Sequence, residues 1–214
     1  MINQFKNVES LLDFKKNKDQ IGIVKRKVPR NSSYFFSKLY KQPFSISGNV
    51  SKKNAKEDIY KLLKNKIPDN TQSDPFFENW LVDMSKVCKL FCSIQSEKII
   101  SFWLGTKRGC KRYHIDMVPF RLLVTYAGQG TELLPDKAAD RTAFINGKPN
   151  EKIVKDRSSL KFLSSWDIAI FRGGVNGILH RTPDSALDGN SSILMRLDHE
   201  SFYDQLIKIN GINY

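Results

Sequence analysis

The stretch RYHIDMVPFRLLVTYAGQGTELLP, Arg112–Pro135, sets the polar triplet His114-Ile115-Asp116 directly ahead of an apolar run. On a strand, residues i and i+2 point to the same face, so His114 and Asp116 project side by side while Ile115 packs behind them. Two readings follow: an ordinary hydrogen-bonded pair, or two legs of a metal site. A third leg must come from a distant strand. The stretch DIAIFRGGVNGILHRTP, Asp167–Pro183, supplies His180, which lies 64 residues beyond Asp116. Two imidazoles and a carboxylate on one face leave three open coordination positions, the donor set that suits non-heme Fe(II).

Outward from this stretch the chain is a series of short β-type runs broken by Gly, Pro and Asp. They are KIISFWLGT, RYHIDMV, FRLLVTYAG, TELLP, AFING, DIAIFRGG, GILHRTP and SSILMRLD. Strands this short and closely spaced predict a sandwich or barrel of jelly-roll-like topology. The chain before Gln95 reads differently. AKEDIYKLLKNKIP puts Ile59, Leu62 and Leu63 on one helical face, and DPFFENWLVDMSKVCKLFCSIQ opens with Asp74 before Pro75 at a first helical position. VESLLDFKKNK is a turn or two of amphipathic helix, QIGIVKRKV a candidate strand, and SYFFSKLYKQPFSISGN fits either type. The expected class is α+β: a mainly helical segment, residues 1–95, packed on the outside of a β core, residues 96–214, in one structural domain.

With 40% hydrophobic residues and 14 Phe, the chain has material for a core and is not a disordered polymer. It has neither an apolar run of about 18 residues nor a signal-peptide pattern, which predicts a cytoplasmic protein without a membrane span. Three cysteines, Cys88, Cys92 and Cys110, make no disulfide framework. Cys88 and Cys92 are expected to face a core. The net charge of +13 would attract anionic partners. Much of it, however, sits as lysines in the first third, where they read as a solvated face, and no nucleic-acid module accompanies them. Nucleic acid is therefore a weakly supported partner, and an anionic substrate is favoured only by the same charge. Neither substrate nor oligomeric state has a signature of its own.

The sequence FRLLVTYAGQGTELLP after HID resembles the prolyl-hydroxylase type of iron and 2-oxoglutarate oxygenase, and WDIAIFRGG with LHRTP resembles that superfamily's closing segment. GCKRYHIDMVPFRLLVTYAGQGTELLP, GILHRTP and LMRLD are more closely similar to the bacterial domain-of-unknown-function 1826 family, over roughly Lys98 to Asp198. The resemblance implies a double-stranded β-helix (jelly-roll or cupin-like), with Fe(II) held by His114, Asp116 and His180 as catalytic and metal-binding residues. It also implies 2-oxoglutarate as cosubstrate, whose decarboxylation is coupled to hydroxylation of a C–H bond. One position departs from the oxygenase pattern. Where a Lys or Arg some ten to twelve residues past the distal His would pair with the cosubstrate's outer carboxylate, this chain has Ser191 and Ser192.

Substitute anchors are Arg196, four residues past Ser192 and on the same strand face, Arg121 on the strand after HID, and Arg181 beside the distal His. Arg196 could instead pair with Glu132 or Asp198. Tyr126 could hydrogen-bond a cosubstrate carboxylate or fill the barrel, since it and Thr125 face opposite ways. Gly128 and Gly130 are read as tight-turn residues. Cys110 is a candidate fourth ligand that would favour zinc as the alternative metal. His199 is left outside the site. The function classes that remain are an oxygenase, a cupin-like zinc or iron protein for metal handling or sensing, and a basic interaction module with a vestigial triad. Enzymatic activity stays an open question at this level.

Overall fold

A computed structural model describes residues 1–39, 43–187 and 192–202. It has a mixed α+β architecture dominated by a seven-stranded sheet. In chain order the elements are β1 (Ile2–Gln4), β2 (Ile21–Val24), α1 (Ser32–Leu39), β3 (Ser45–Ser51), α2 (Ala55–Leu63), α3 (Asp69–Gln72), α4 (Pro75–Gln95) and β4 (Ile99–Gly105). Then follow β5 (Phe120–Ala127), β6 (Glu132–Leu134), α5 (Arg141–Ile145), α6 (Asn150–Ile153), β7 (Lys161–Phe162), β8 (Ile168–Arg172), β9 (Leu179–Arg181) and β10 (Ile193–His199).

The large sheet runs β1-β2-β8-β5-β10-β4-β3 and the small one β7-β6-β9. Within the large sheet only the β1–β2 pair is parallel. The first 95 residues carry α1 to α4 and also supply both edges of the large sheet: β1 and β2 form one edge and β3 the other. VESLLDFKKNK becomes a 3-10 helix over Glu9–Lys16 that buries Leu11 and Phe14.

Strand alternation explains how the layers stack. Leu122, Val124 and Tyr126 of β5, Ile168 and Ile170 of β8, and Met195 and Leu197 of β10 join Trp80 and Met84 of α4 in one apolar cluster. Leu123, Phe171 and Leu194 point the other way and meet Leu133 and Ile178 of the small-sheet side. Leu134 and Leu179, on the outer face of the small sheet, pack with Tyr113 and Ile153. The order is helices, large sheet, small sheet, then the loop that carries α5 and α6. Both faces of the central strands β8, β5 and β10 are covered, so these read as near-continuous apolar runs.

Two expected strands differ. AFING is helical in α5, because Asp140 caps it by accepting a hydrogen bond from Ala143 N at 2.8 Å. RYHIDMV pairs only through an isolated bridge at His114. The predicted start of α4 is observed: Asp74 accepts from Phe76 N at 2.9 Å and Pro75 stands in the first turn. Cys88 and Cys92 are buried in the helix-side core. Among the described residues, no helix is long and apolar enough to cross a membrane.

Candidate metal centre

His114 and His180 are brought together by backbone. Each donates its N–H to the other's carbonyl at 3.0 Å, which lays the HID segment beside β9 on the small sheet. Thr182 N donates to the Cys110 carbonyl at 2.9 Å and continues this pairing toward Gly109. Asp116 is fixed from the β8–β9 connection, where Gly174 N donates to its carbonyl at 2.8 Å. The preceding Gly173 comes so close that a Cβ would lie 2.0 Å from the Val118 carbonyl oxygen and 2.4 Å from that of Asp116. A side chain at Gly173 would push the HID segment out of place.

Candidate ligand atoms of His114, Asp116 and His180 lie within 4.8 Å of one another. The ring nitrogens are sorted by their backbone partners. His114 Nδ1 lies 3.1 Å from the Arg112 carbonyl and His180 Nδ1 lies 3.0 Å from that of Ile178. A carbonyl only accepts, so each Nδ1 carries the proton and each Nε2 presents its lone pair in the neutral ring. His180 Nε2 then faces Asp116 Oδ2 at 3.5 Å. That oxygen is buried and has no hydrogen-bond donor.

Burial pushes the His180 imidazole down to about 4, which keeps it neutral. At His114 burial also pulls downward, but the Cys110 thiol and the Asp116 carboxylate carry its pKa above the ordinary value. The same hydrogen bond to His114 lowers the Cys110 thiol. Phe171 packs on the His180 ring with centroids 4.6 Å apart, closing the apolar side of the cluster.

The predicted anchors separate into those the fold brings here and those it does not. Arg121 does reach the centre, where its Nη1 donates to Asp116 Oδ1 and its Nε to Asp198 at 2.7 Å. Arg196 lines the same cavity and lies 2.9 Å from Asp198, over the Trp103 ring at 5.5 Å. Its partner is therefore Asp198, because Glu132 is taken by Arg181 at 2.9–3.0 Å and by the Tyr113 hydroxyl. Arg181 also borders this cavity, but its side chain is held by Glu132 and by Asp184, the latter at 2.6 Å.

Tyr126 is not a cavity residue. It points to the helix side of β5, is 1% exposed, and donates to Asp83 at 2.8 Å among Trp80 and Trp166. The parity that sends Arg121 and Leu123 to the site sends Tyr126 to the opposite core. Gly128 has the positive φ of a turn, 77°. Gly130 instead allows close approach, since a Cβ there would fall 2.2 Å from the Leu163 carbonyl oxygen. Ser192 is buried with an unpartnered hydroxyl, and Ser191 lies outside the described residues. His199 pairs with Glu97 at 3.5 Å, apart from the cluster.

A cavity of about 120 Å³ opens on the cluster, lined by Cys110, His114, His180, Lys107, Arg108 and Arg121 with Trp103, Leu123, Leu194 and Arg196. Among the described residues its lining contains no carboxylate. Arg108 is the residue that sequence reading passes over: it sits in a loop among other basic residues, TKRGCKR, and nothing in that pattern marks it as buried.

These features sit inside a recognised unit. The family model described as Protein of unknown function (DUF1826) matches residues 6–198, and the chain belongs to that family. The match takes in β2, β3 and the amino-terminal helices as well as the site, and leaves out β1. A candidate oxygenase from Shewanella oneidensis is similar in structure at 10% identity and a TM-score of 0.46, covering 100% of this chain and 99% of that one. A bsmA homolog from Methylobium petroleophilum aligns at 8% identity and 0.46 over 92% and 94% of the two chains. A full-length Neurospora crassa protein, solved in complex with alpha-KG, aligns at 9% identity and 0.37 over 93% and 84%. No curated protein matches the chain in sequence.

Proposed function

We propose that this protein is an Fe(II)- and 2-oxoglutarate-dependent oxygenase, with the metal held by His114, Asp116 and His180. The observation that carries the reading is the meeting of acceptors: His180 Nε2 faces the unpartnered, buried Asp116 Oδ2 at 3.5 Å, with His114 beside them. Lone pairs turned on one another in a buried site repel unless a cation lies between them. A single proton would satisfy one pair, whereas a metal ion satisfies three donors. Two imidazoles and one carboxylate leave room for a bidentate cosubstrate and dioxygen.

Bound there, Fe(II) would supply the coupling of 2-oxoglutarate decarboxylation to oxidation of a substrate C–H bond. The chain's own residues orient and exclude. The Arg112 and Ile178 carbonyls fix the two rings, Arg121 fixes Asp116, and Phe171 and Leu123 keep water from the apolar side. The facing sheets support a double-stranded β-helix built from β4 to β10, with the earlier segment built onto it as one domain. The substrate is proposed to be anionic, since cations line the cavity, and the setting to be the cytoplasm. A zinc centre completed by Cys110 is the second reading, supported by the thiol's place in the same cavity lining as His114 and His180.

Anaerobic purification, metal analysis and titration with 2-oxoglutarate separate the two. Stoichiometric iron and a metal-to-ligand charge-transfer band on adding 2-oxoglutarate are expected. Tightly held zinc and no response to 2-oxoglutarate would sink the oxygenase reading.

A further inference from the structure

Arg108 stands in the loop between β4 and the HID segment, only 7% exposed. Its Nη1 donates to the Gln129 carbonyl at 2.9 Å and its Nη2 to the Thr131 hydroxyl at 3.0 Å. Its Nε is buried without an acceptor. Among the described residues it has no carboxylate partner, in contrast to Arg121, Arg181 and Arg196, which are all paired. Burial pushes its pKa down to about 10. A desolvated guanidinium without a counterion is costly, and the two neutral acceptors fix its plane without neutralising it.

The anchoring strand is significant. Thr131 adjoins Glu132, whose register partner is Arg181, next to His180. The guanidinium is therefore tied to the strand beside β9, and it lines the cavity that His114 and His180 also line. We propose that Arg108 is the seat of a ligand carboxylate in this cavity, the far end of a dicarboxylate whose other end reaches the His–Asp–His cluster. Planar, bidentate recognition of a carboxylate is what a guanidinium held this way is suited to. The cation lacking at Ser191 and Ser192 is thus supplied from a different element. Naming the ligand as 2-oxoglutarate rests on the oxygenase reading, whereas the carboxylate seat does not.

The test is calorimetric binding of 2-oxoglutarate, glutarate and inorganic phosphate to the full-length protein, with and without Mn(II). Arg108→Met is expected to weaken both dicarboxylates about tenfold or more. Arg157→Met, at an exposed arginine outside the cavity lining, should change them by less than about threefold. Thr131→Val, which keeps the charge but frees the guanidinium plane, should fall between. Unchanged dicarboxylate affinity in Arg108→Met, or phosphate binding more tightly than glutarate, overturns the proposal. A charge-transfer band that persists in Arg108→Met with unchanged affinity would remove the seat and keep the oxygenase. Arg108-dependent dicarboxylate binding with no such band would remove the oxygenase and keep the seat.

Discussion

Asp116 offers one oxygen to the space between the imidazoles and gives the other to Arg121, which Asp198 holds from behind. Such outer partners orient a ligating carboxylate, and their loss typically costs about 10–100-fold in metal affinity. Arg121→Leu should weaken metal binding by that factor in a competitive chelator titration while leaving all three proposed ligands in place. An unchanged affinity would mean that Arg121 only balances charge. His114, Asp116 and His180 were legible because their signal is local parity plus one distant histidine. Tyr126 was not, since both faces of β5 are buried and an apolar run hides which parity meets the site. Arg108 was illegible for another reason: burial of a loop arginine depends on Gln129 and Thr131, residues more than twenty positions away.

At the scale of elements, caps were the readable signal. Asp74 accepts from Phe76 N and pairs with Lys38 at 2.6 Å, and the Lys38 hydrogen bond, then the backbone donor, holds its carboxyl below the ordinary value of 3.8. A group depressed on folding stabilises the fold above its unfolded pKa, and this contribution disappears as pH falls through the lower folded value. Asp74→Ala should therefore cost about 1 kcal/mol at neutral pH. The gap between variant and wild type should close on acidification below 3.8, as read from urea denaturation at each pH. A gap that does not vary with pH would assign the loss to packing instead. The cap on α5 was equally present at Asp140, but AFING looked like a strand because Ala-Phe-Ile satisfies either period over so short a run. HID shows the converse: its strand-like spacing is used, yet only one bridge holds it, and the glycines of the β8–β9 connection do the rest.

Across the molecule, the helical layer and the site lie on opposite faces of the large sheet, so the described amino-terminal helices buttress the sheet from the side away from the site. Composition could foresee that residues before Gln95 carry helices, but not that β2 pairs with β8 and β3 with β4, because edge pairing depends on contacts distant in sequence. This separation predicts two kinds of damage. Trp80→Ala, which empties a fully buried position in the helix-side cluster, should cost about 3–5 kcal/mol of stability. Its metal-induced gain in stability should match the wild type, about 2.7 kcal/mol at a free metal concentration of about 100 times Kd. His180→Ala should lose that gain whatever it does to the metal-free fold. The measurement is denaturation of each variant with and without metal, and the gain is the quantity compared. If Trp80→Ala also loses the gain, the helical layer positions the ligands through the sheet; if both keep it, the metal is held elsewhere than at His180.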